Sequence, residues 1–378
     1  MRILHVIYSE AISGAEKYLK HLLPGLKKHG IVCELIVVSP KTTAGSFISY
    51  CAALNTLGVK TTLIIANKRS VIGTAKKVNN YIKENNINIV HTHLLISDLI
   101  TAVLKTLFNR QVYLISTKHG YREKLLQQYE PGKKYRPNDF YHFITKFILR
   151  KIDRNVAVSK GIADLYVNLG LTKTAYPFIH HGIKIETFDK ESYKAECRLT
   201  NPQLIIVGRI EIFKGHHFLI DAMPAVAATF PGVKLLVLGE GSEKDNCIKR
   251  VKDLGLQNNV DFLGFKDHPY AYISHSDVII LPSLFEPFGL VYIEAFALKT
   301  PVVAFNTPAG NEIMENNKTA LLVDKADSAA LAEKIIYLLN NPAARKQLAD
   351  NAFEKYKNDF TAEVMIEKTA TWYKSLSL

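Results

Sequence analysis

The sequence predicts an α/β protein built from two doubly wound, Rossmann-like parallel-sheet domains. Three observations carry that reading. The chain has 378 residues, more than one ordinary domain holds. Hydrophobic residues make up 48% of it and aromatics 10%, enough for each half to bury a core and far from a disordered composition. Short apolar runs rich in Val and Ile recur, and longer amphipathic stretches separate many of them. That alternation indicates parallel sheets covered on both faces.

In the first half the runs fall at 3–8, 33–38, 62–65, 88–91, 112–116 and 155–159. In the second half they fall at 204–207, 234–238, 260–263, 278–281, 302–305 and 320–323. Residues 15–28 and 328–339 are representative helical stretches. Between 183 and 202 the chain turns polar, with Lys184, Glu186, Asp189, Lys190, Glu191, Lys194 and Glu196 ahead of Asn201-Pro202. The expected division is therefore 1–185 and 186–359. Ligands of open α/β sheets bind beyond the carboxyl ends of the strands, so two such domains point to a site in a cleft where those ends face each other.

The charge balance is basic, 48 Lys+Arg against 35 Asp+Glu, formally +13. Nucleic acid, an anionic membrane surface and a phosphorylated small molecule all suit that surplus. The basic residues are dispersed and no nucleic-acid-binding motif accompanies them, so nucleic acid is not the expected partner. The four cysteines, Cys33, Cys51, Cys197 and Cys247, form no C-x-x-C pair. They fit packing cysteines in a reducing cytoplasm. The opening residues, Met1 to Glu10, suit a first buried strand interrupted by His5 better than a signal peptide. No run approaches the length that spans a bilayer.

The chemistry is sought just after each strand. Ser13-Gly14-Ala15-Glu16 opens the first helix, where Gly14 lets backbone approach an anion. The same residues also suit an ordinary strand-to-helix turn. His91-Thr92-His93 puts two imidazoles on one face if extended. No third metal ligand is expected nearby, so no metal site is assigned and the pair is expected to line the cleft. Lys118-His119-Gly120 puts a histidine at the next strand end. In the second half, Gly208-Arg209 and Lys214-Gly215 follow the first strand; two cations there suit a diphosphate, or are simply solvated. Gly239-Glu240-Gly241 follows the second strand, and Gly264 to His268 follows the third, with Phe265 as an apolar wall for a base.

The most specific stretch runs from Leu281 to Ala295. A helix is expected to begin around Pro287 to Gly289, with the proline in its first turn. Glu286 precedes that start and Glu294 lies on the helix. Eight residues of ideal helix rise about 12 Å, so the two carboxylates can meet opposite ends of an extended ligand. The amides of Phe288, Gly289 and Leu290 would point between them. A sugar, a diphosphate and a ribose in a row satisfy all three.

This stretch resembles the E-x7-E signature of the family-4 retaining glycosyltransferases of the GT-B fold, matched by Glu286 and Glu294. The resemblance also takes in Arg209, Lys214, Gly239 to Gly241, residues 300–304, Gly14, His91 to His93, His119-Gly120 and residues 156–160. It implies that Arg209 and Lys214 hold the donor diphosphate, that Glu294 binds the ribose and that Glu286 holds the donor sugar. It further implies that Gly14 approaches the distal phosphate and that His119 sits beside the reacting sugar. The implied co-substrate is a nucleoside-diphosphate sugar, UDP or GDP, with no other cofactor, no metal and retention by a front-face reaction. The residues from Phe360 to Lys374 resemble the family's final helix, which crosses back to the first domain and assigns about 360–378 to it. Ser13 stands where the family usually has a glycine, and His181-Gly182-Ile183-Lys184 replaces its usual Asn-Gly-x-Asp turn.

Residues 133–154 interleave cations with aromatics: Lys133, Lys134, Tyr135, Arg136, Phe140, Tyr141, Phe143, Lys146, Phe147, Arg150, Lys151 and Arg154. A basic amphipathic helix there can lie on anionic lipid, or pack on the core with a cationic edge. The lipid reading suits a glycan or lipid-linked glycan acceptor and a cytoplasmic protein peripheral on the inner face of the plasma membrane. The competing functions are a sugar-nucleotide epimerase of the same fold, a non-catalytic basic nucleic-acid-binding protein, and an inactive scaffold.

Overall fold

The computed structural model describes residues 1–121, 139–185, 197, 202–266 and 268–376. In chain order the main elements are β1 (Arg2–Tyr8), α1 (Gly14–Leu26), β2 (Val32–Ser39), α2 (Ala44–Thr56), β3 (Lys60–Ile65), α3 (Val71–Glu84), β4 (Ile89–His93), α4 (Leu95–Leu107), β5 (Tyr113–Lys118), α5 (Phe140–Leu149), β6 (Arg154–Ala157) and α6 (Lys160–Asn168). They continue with β7 (Gln203–Val207), α7 (His216–Thr229), β8 (Lys234–Leu238), α8 (Lys244–Asp253), β9 (Val260–Gly264), α9 (Pro269–Ser274), β10 (Val278–Leu281), α10 (Leu290–Ala297), β11 (Val302–Phe305), α11 (Pro308–Ile313), β12 (Leu321–Val323), α12 (Ser328–Asn340), α13 (Pro342–Asp359) and α14 (Ala362–Ser375). They fold as two compact units, Met1–Gly182 with Ala362–Leu378, and Ile183–Thr361.

The first unit is a six-stranded sheet in the order β3-β2-β1-β4-β5-β6, every described pairing parallel. One face buries Ile3, Ile7, Leu35 and Val37 with Leu19, Leu22 and Leu23 of α1. The other buries Leu4, Val6, Ile36 and Val90 with Val78 of α3 and Ile100 of α4. Both faces are covered, which is why these strands read as continuous apolar runs rather than alternating ones.

The second unit repeats the plan in the order β12-β11-β10-β7-β8-β9, again parallel. Counted from its own first strand, that is the doubly wound order of the first unit. The order reverses between β1 and β4 in one sheet and between β7 and β10 in the other. At such a reversal the loops leaving the two central strands diverge to opposite faces, which opens a crevice at their carboxyl ends.

The strand ends differ from the sequence expectation in an instructive way. β4 runs on to His93 and β5 to Lys118, each past its expected end. Their last residues are polar, so apolar patterning stops short, yet they stay in register: Ile7 pairs with His93, and Lys118 with Ala157. β6 stops early, at Ala157, because Ser159 caps α6 instead, its Oγ accepting from the Ile162 amide at 3.1 Å.

α14 belongs to the first unit. It buries Met365, Ala370 and Tyr373 in the core that α1 also lines. Pro24-Gly25 on α1 allows the approach: a Cβ on Gly25 would lie 2.2 Å from Cδ1 of Ile366. Tyr373 is fully buried and its hydroxyl meets Nδ1 of His91. Tyr373→Ala should therefore cost about 3–5 kcal/mol, read as a lowered midpoint in chemical denaturation. A loss below about 1 kcal/mol would mean that α14 does not hold the first unit together.

Candidate functional site

In the second unit, the residues singled out after β7 and β10 converge at the point where the strand order reverses. After β7 the chain turns through Ile212–Lys214 in one 3-10 turn and reaches Gly215 at φ +72°. A Cβ there would fall 1.9 Å from the Pro282 carbonyl oxygen. Only glycine lets this turn lie against the loop leaving β10, and that approach brings Lys214 to Glu286. Their Nζ–Oε1 distance is 2.5 Å, and the side chains are 19% and 11% exposed. Ser283 Oγ donates to the same oxygen at 2.9 Å.

Arg209 is exposed, with its guanidinium over the Phe213 ring at 5.5 Å; Lys214 Nζ lies 5.6 Å from the same ring. One aromatic thus carries both cations. The next loop is drawn in by the same device: a Cβ on Gly239 would lie 1.9 Å from the Gly208 carbonyl oxygen, and one on Gly241 2.2 Å from that of Ile210. The Gly239 amide also bonds the Gly264 carbonyl at 2.9 Å, and Phe265 follows with 77% of its surface exposed. Asp267, in the same loop, lies outside the described residues.

The helix after Glu286 begins later than the sequence suggests. α10 starts at Leu290, with Gly289 as its N-cap at φ +95°, and Pro287 is not in its first turn. A Cβ on Gly289 would meet the Tyr292 ring at 2.4 Å, so the glycine sets the start. Leu290 is thus the first helical residue, while Phe288 is buried and packs toward Phe360 at 6.2 Å. Only part of the span from Glu286 to Glu294 is helical, so a 12 Å rise does not apply. Glu294 is 4% exposed, with the Tyr270 hydroxyl donating to Oε1 at 3.3 Å. A buried carboxylate is not a solvated helix residue, and it needs partners.

His216 was not singled out by the sequence. It follows Lys214-Gly215 directly and lines a small void with Lys214, Ser283, Glu286, Gly289 and Tyr292. Burial, then the nearby Lys214, push its pKa down to about 3. It is therefore neutral beneath the charged pair. Its position straight after the cation pair was the available signal.

In the first unit, Gly14 is the first residue of α1. Ser13 and Glu16 form a capping pair, the Ser13 amide and Oγ each bonding Glu16 Oε2 at 2.8 Å. The ordinary strand-to-helix turn is thus present here, with Glu16 fully buried. Lys118 is buried inside β5 and pairs with Asp98 at 2.7 Å, both almost fully buried. Ser116 and Thr92 complete that network around Asp98.

The imidazoles of His91 and His93 do share a face, and the expectation of no third ligand nearby is corrected. His5 of β1 is the register partner of His91, and His5, His91 and His93 each offer a nitrogen within 4.8 Å of the others. His5 Nδ1 lies 3.0 Å from His93 Nε2, and His93 Nδ1 lies 3.0 Å from His119 Nε2. His91 is bonded by Tyr373 at Nδ1 and by Thr117 at Nε2. Tyr18 packs between His119 and His181 at 5.3 and 4.7 Å. The sequence hid His5 because it is 86 positions from His91, joined only through the sheet.

Among the described residues, α5 carries Phe140 at 77% and Phe143 at 71% exposure, with Lys146 and Arg150 also exposed. Lys133, Lys134, Tyr135 and Arg136 lie outside the described residues. No described helix is long and apolar enough to cross a membrane. All four cysteines are buried, and none of them forms a disulfide.

Comparison with known proteins agrees with this architecture. The family described as glycosyl transferases group 1 matches residues 188–355, and glycosyltransferase family 4 matches residues 12–187. The chain is 31% identical over 236 residues to a glycogen synthase of Mycobacterium tuberculosis, a match covering 61% of this chain and 56% of that protein. It is 32% identical over 232 residues to the capsular polysaccharide biosynthesis glycosyltransferase CapM of Staphylococcus aureus, covering 58% of this chain and 61% of that one. The chain thus spans 56% and 61% of the length of these two relatives. Among solved structures, Anabaena Alr3699/HepE in complex with UDP and glucose superposes with a TM-score of 0.81 over 100% of both chains, at 19% identity. That likeness is one of fold.

The histidine cluster has a consequence for stability. Burial lowers His5 and His119 from an ordinary 6.5 to about 3, and His91, His93 and His181 well below 6.5. As pH falls below 6.5 these rings take up protons in the unfolded chain but not in the folded one. The unfolded state then binds more protons, so stability is full above about 6.5 and is lost as pH falls toward 3, by up to about 1.4 kcal/mol per pH unit for each ring. Thermal midpoints should drop steadily from about pH 6.5 to pH 4.5, and His5→Leu should shallow the slope. A flat profile over that range would show that the rings are not neutral in the fold.

Proposed function

The chain belongs to the family-4 glycosyltransferases of the GT-B fold, and from that membership we propose that it transfers a sugar from a nucleoside-diphosphate sugar, UDP- or GDP-linked, to a glycan or lipid-linked glycan. The observation that carries this reading is the Lys214–Glu286 pair at 2.5 Å, with Arg209 beside it on the Phe213 ring. A departing nucleoside diphosphate needs its growing negative charge compensated. Two cations at a strand's carboxyl end supply that, and the N-terminus of α10 adds to it.

The reading gives each residue a task. Arg209 forks onto two phosphate oxygens while Lys214 acts as a point charge. Glu286, relieved of Lys214 when the diphosphate takes it, accepts hydrogen bonds from the donor sugar's hydroxyls. Phe288, Gly289 and Leu290 line the phosphate end. Glu294 accepts from the ribose hydroxyls, and Gly239 and the exposed Phe265 border the base. In the first unit His119 serves the reacting sugar and Gly14 the distal phosphate. The reaction is a front-face displacement: the bond from the anomeric carbon to the phosphate oxygen breaks and a bond to the acceptor oxygen forms on the same face. The acceptor's proton passes to the leaving phosphate oxygen, so configuration is retained and no protein base or metal is needed.

The acceptor side draws on α5. Exposed Phe140 and Phe143 stand one turn apart, with Lys146 and Arg150 beyond them. Lys105, Arg110 and Lys151 border an adjacent hollow with Arg150. Aromatics flanked by cations suit an anionic bilayer surface, which would bring a lipid-linked glycan to the enzyme at the cytoplasmic face.

Three experiments test the reading. Thermal midpoints should rise with one class among UDP-, GDP-, ADP- and CMP-sugars and keep that rise in EDTA. Lys214→Ala should then cut kcat on the order of 10²–10³-fold, and Glu294→Ala should weaken donor binding; wild-type kinetics in both would remove this site from the reaction. The protein should also sediment with vesicles containing phosphatidylglycerol but not with phosphatidylcholine alone, and Phe140→Ser with Phe143→Ser should abolish it. Equal sedimentation of that double variant would sink the membrane assignment.

A further inference from the structure

Three imidazoles of the first unit stand in line. His5 Nδ1 faces His93 Nε2, and His93 Nδ1 faces His119 Nε2, each at 3.0 Å. The His5 and His93 planes differ by 11° with centroids 5.3 Å apart, and the His93 and His119 centroids are also 5.3 Å apart. An edge-to-edge N–H···N bond of about 2.9 Å between two rings accounts for that separation. His91 lies outside the line: it stacks on His93 at 4.6 Å, and Tyr373 and Thr117 occupy its two nitrogens. A metal held by His5, His91 and His93 would have to displace bonds that His91 and His93 already make.

We propose that His5, His93 and His119 form a one-proton-per-link chain that holds His119 with its proton on Nδ1, making His5 and His93 positioning residues for His119. Each link has room for one proton, because two N–H groups clash and two lone pairs repel. Burial keeps all three rings neutral, and a neutral imidazole carries one N–H, so the direction of one link fixes the next. The three rings therefore share a tautomer.

The inner end chooses which tautomer. His5 is fully buried and its Nε2 has no hydrogen-bond partner. A bare lone pair is tolerated there better than a bare N–H. At the other end His119 Nδ1 is also covered and without a partner, but its ring is part-exposed, so this is the end nearer to solvent or a ligand oxygen. The protons thus point outward, and His119 offers a neutral N–H donor at Nδ1 and acts as neither acid nor base. What that does for catalysis rests on the proposed place of His119 beside the transferred sugar.

The test is imidazole 15N–1H correlation on protein labelled at histidine, with the rings assigned by single substitution. Expected in the wild type is Nδ1–H on His5, His93 and His119. In His93→Leu the His119 Nε2 loses its donor, and its two nitrogen shifts should converge as both tautomers are sampled. His5→Leu, two rings away, should move them the same way by less, and serves if His93→Leu fails to fold. A wild type with mixed tautomers, with Nε2–H on His119, or with His119 shifts unmoved in both variants overturns the chain. With the chain seen, a kcat in His93→Leu lowered on the order of tenfold at unchanged donor KM supports the positioning role. Unchanged kcat there would keep the chain and overturn the positioning role.

Discussion

Gly215 sits where a Cβ would fall 1.9 Å from the Pro282 carbonyl oxygen, and the second unit's site hangs on that approach. The sheet order places the loops after β7 and β10 side by side, but adjacency alone leaves them separated by side-chain thickness. Removing the Cβ closes that gap, and Lys214, one residue earlier, is carried to Glu286. Gly239 repeats the device against Gly208, so β8's loop is drawn to Arg209. Gly215 and Gly239 thus act first on the backbone. They set backbone separations, and the separations set where the charges stand.

That distinction explains what the sequence revealed. All the expected apolar runs became strands, because strands buried on both faces are apolar throughout and punctuated by turns. The cations after β7 and the paired glutamates after β10 were legible for the same reason: a doubly wound fold tells the reader where to look. The polar ends of β4 and β5 were not legible, since Thr92, His93, Thr117 and Lys118 break the apolar pattern while continuing the ladder. The start of α10 was misplaced because proline was read as the first-turn residue, whereas Gly289, at positive φ, makes the turn. His5 and His216 were missed because their meaning lies in spatial neighbours, not in spacing along the chain.

The two units handle polarity at their strand ends in opposite ways. In the first, rings that can be neutral are buried neutral: burial outweighs every other influence on His5, His93 and His119, and their nitrogens bond one another. Asp98 and Lys118 stay together within the same sheet, nearly inaccessible, with Ser116 and Thr92 bonded to the carboxylate. Such a cluster is stiff, since moving any member leaves a buried group unbonded. In the second unit the charged groups are left partly open: Lys214 and Glu286 keep 19% and 11% of their side-chain surface, and Arg209 is exposed. A stiff neutral cluster suits holding one hydrogen-bond direction. An accessible charged pair suits exchanging one partner for another.

Exchange is the property that a donor site of this kind requires. Were Lys214 unpaired and fully solvated, an arriving diphosphate would have to strip its water and order its flexible stem. Glu286 and Ser283 have already done most of that on folding, since Glu286 accepts from both the lysine and the serine. The cation therefore stands largely desolvated and fixed in place by the fold. In the proposed donor site a diphosphate, carrying more charge than one carboxylate, would compete for it at short range, and Glu286 would keep the Ser283 bond while its other capacity turned to a sugar hydroxyl. The cost of placing charge in a water-poor site falls on the fold rather than on the reaction step, which is the condition for electrostatic stabilisation to act on a leaving group.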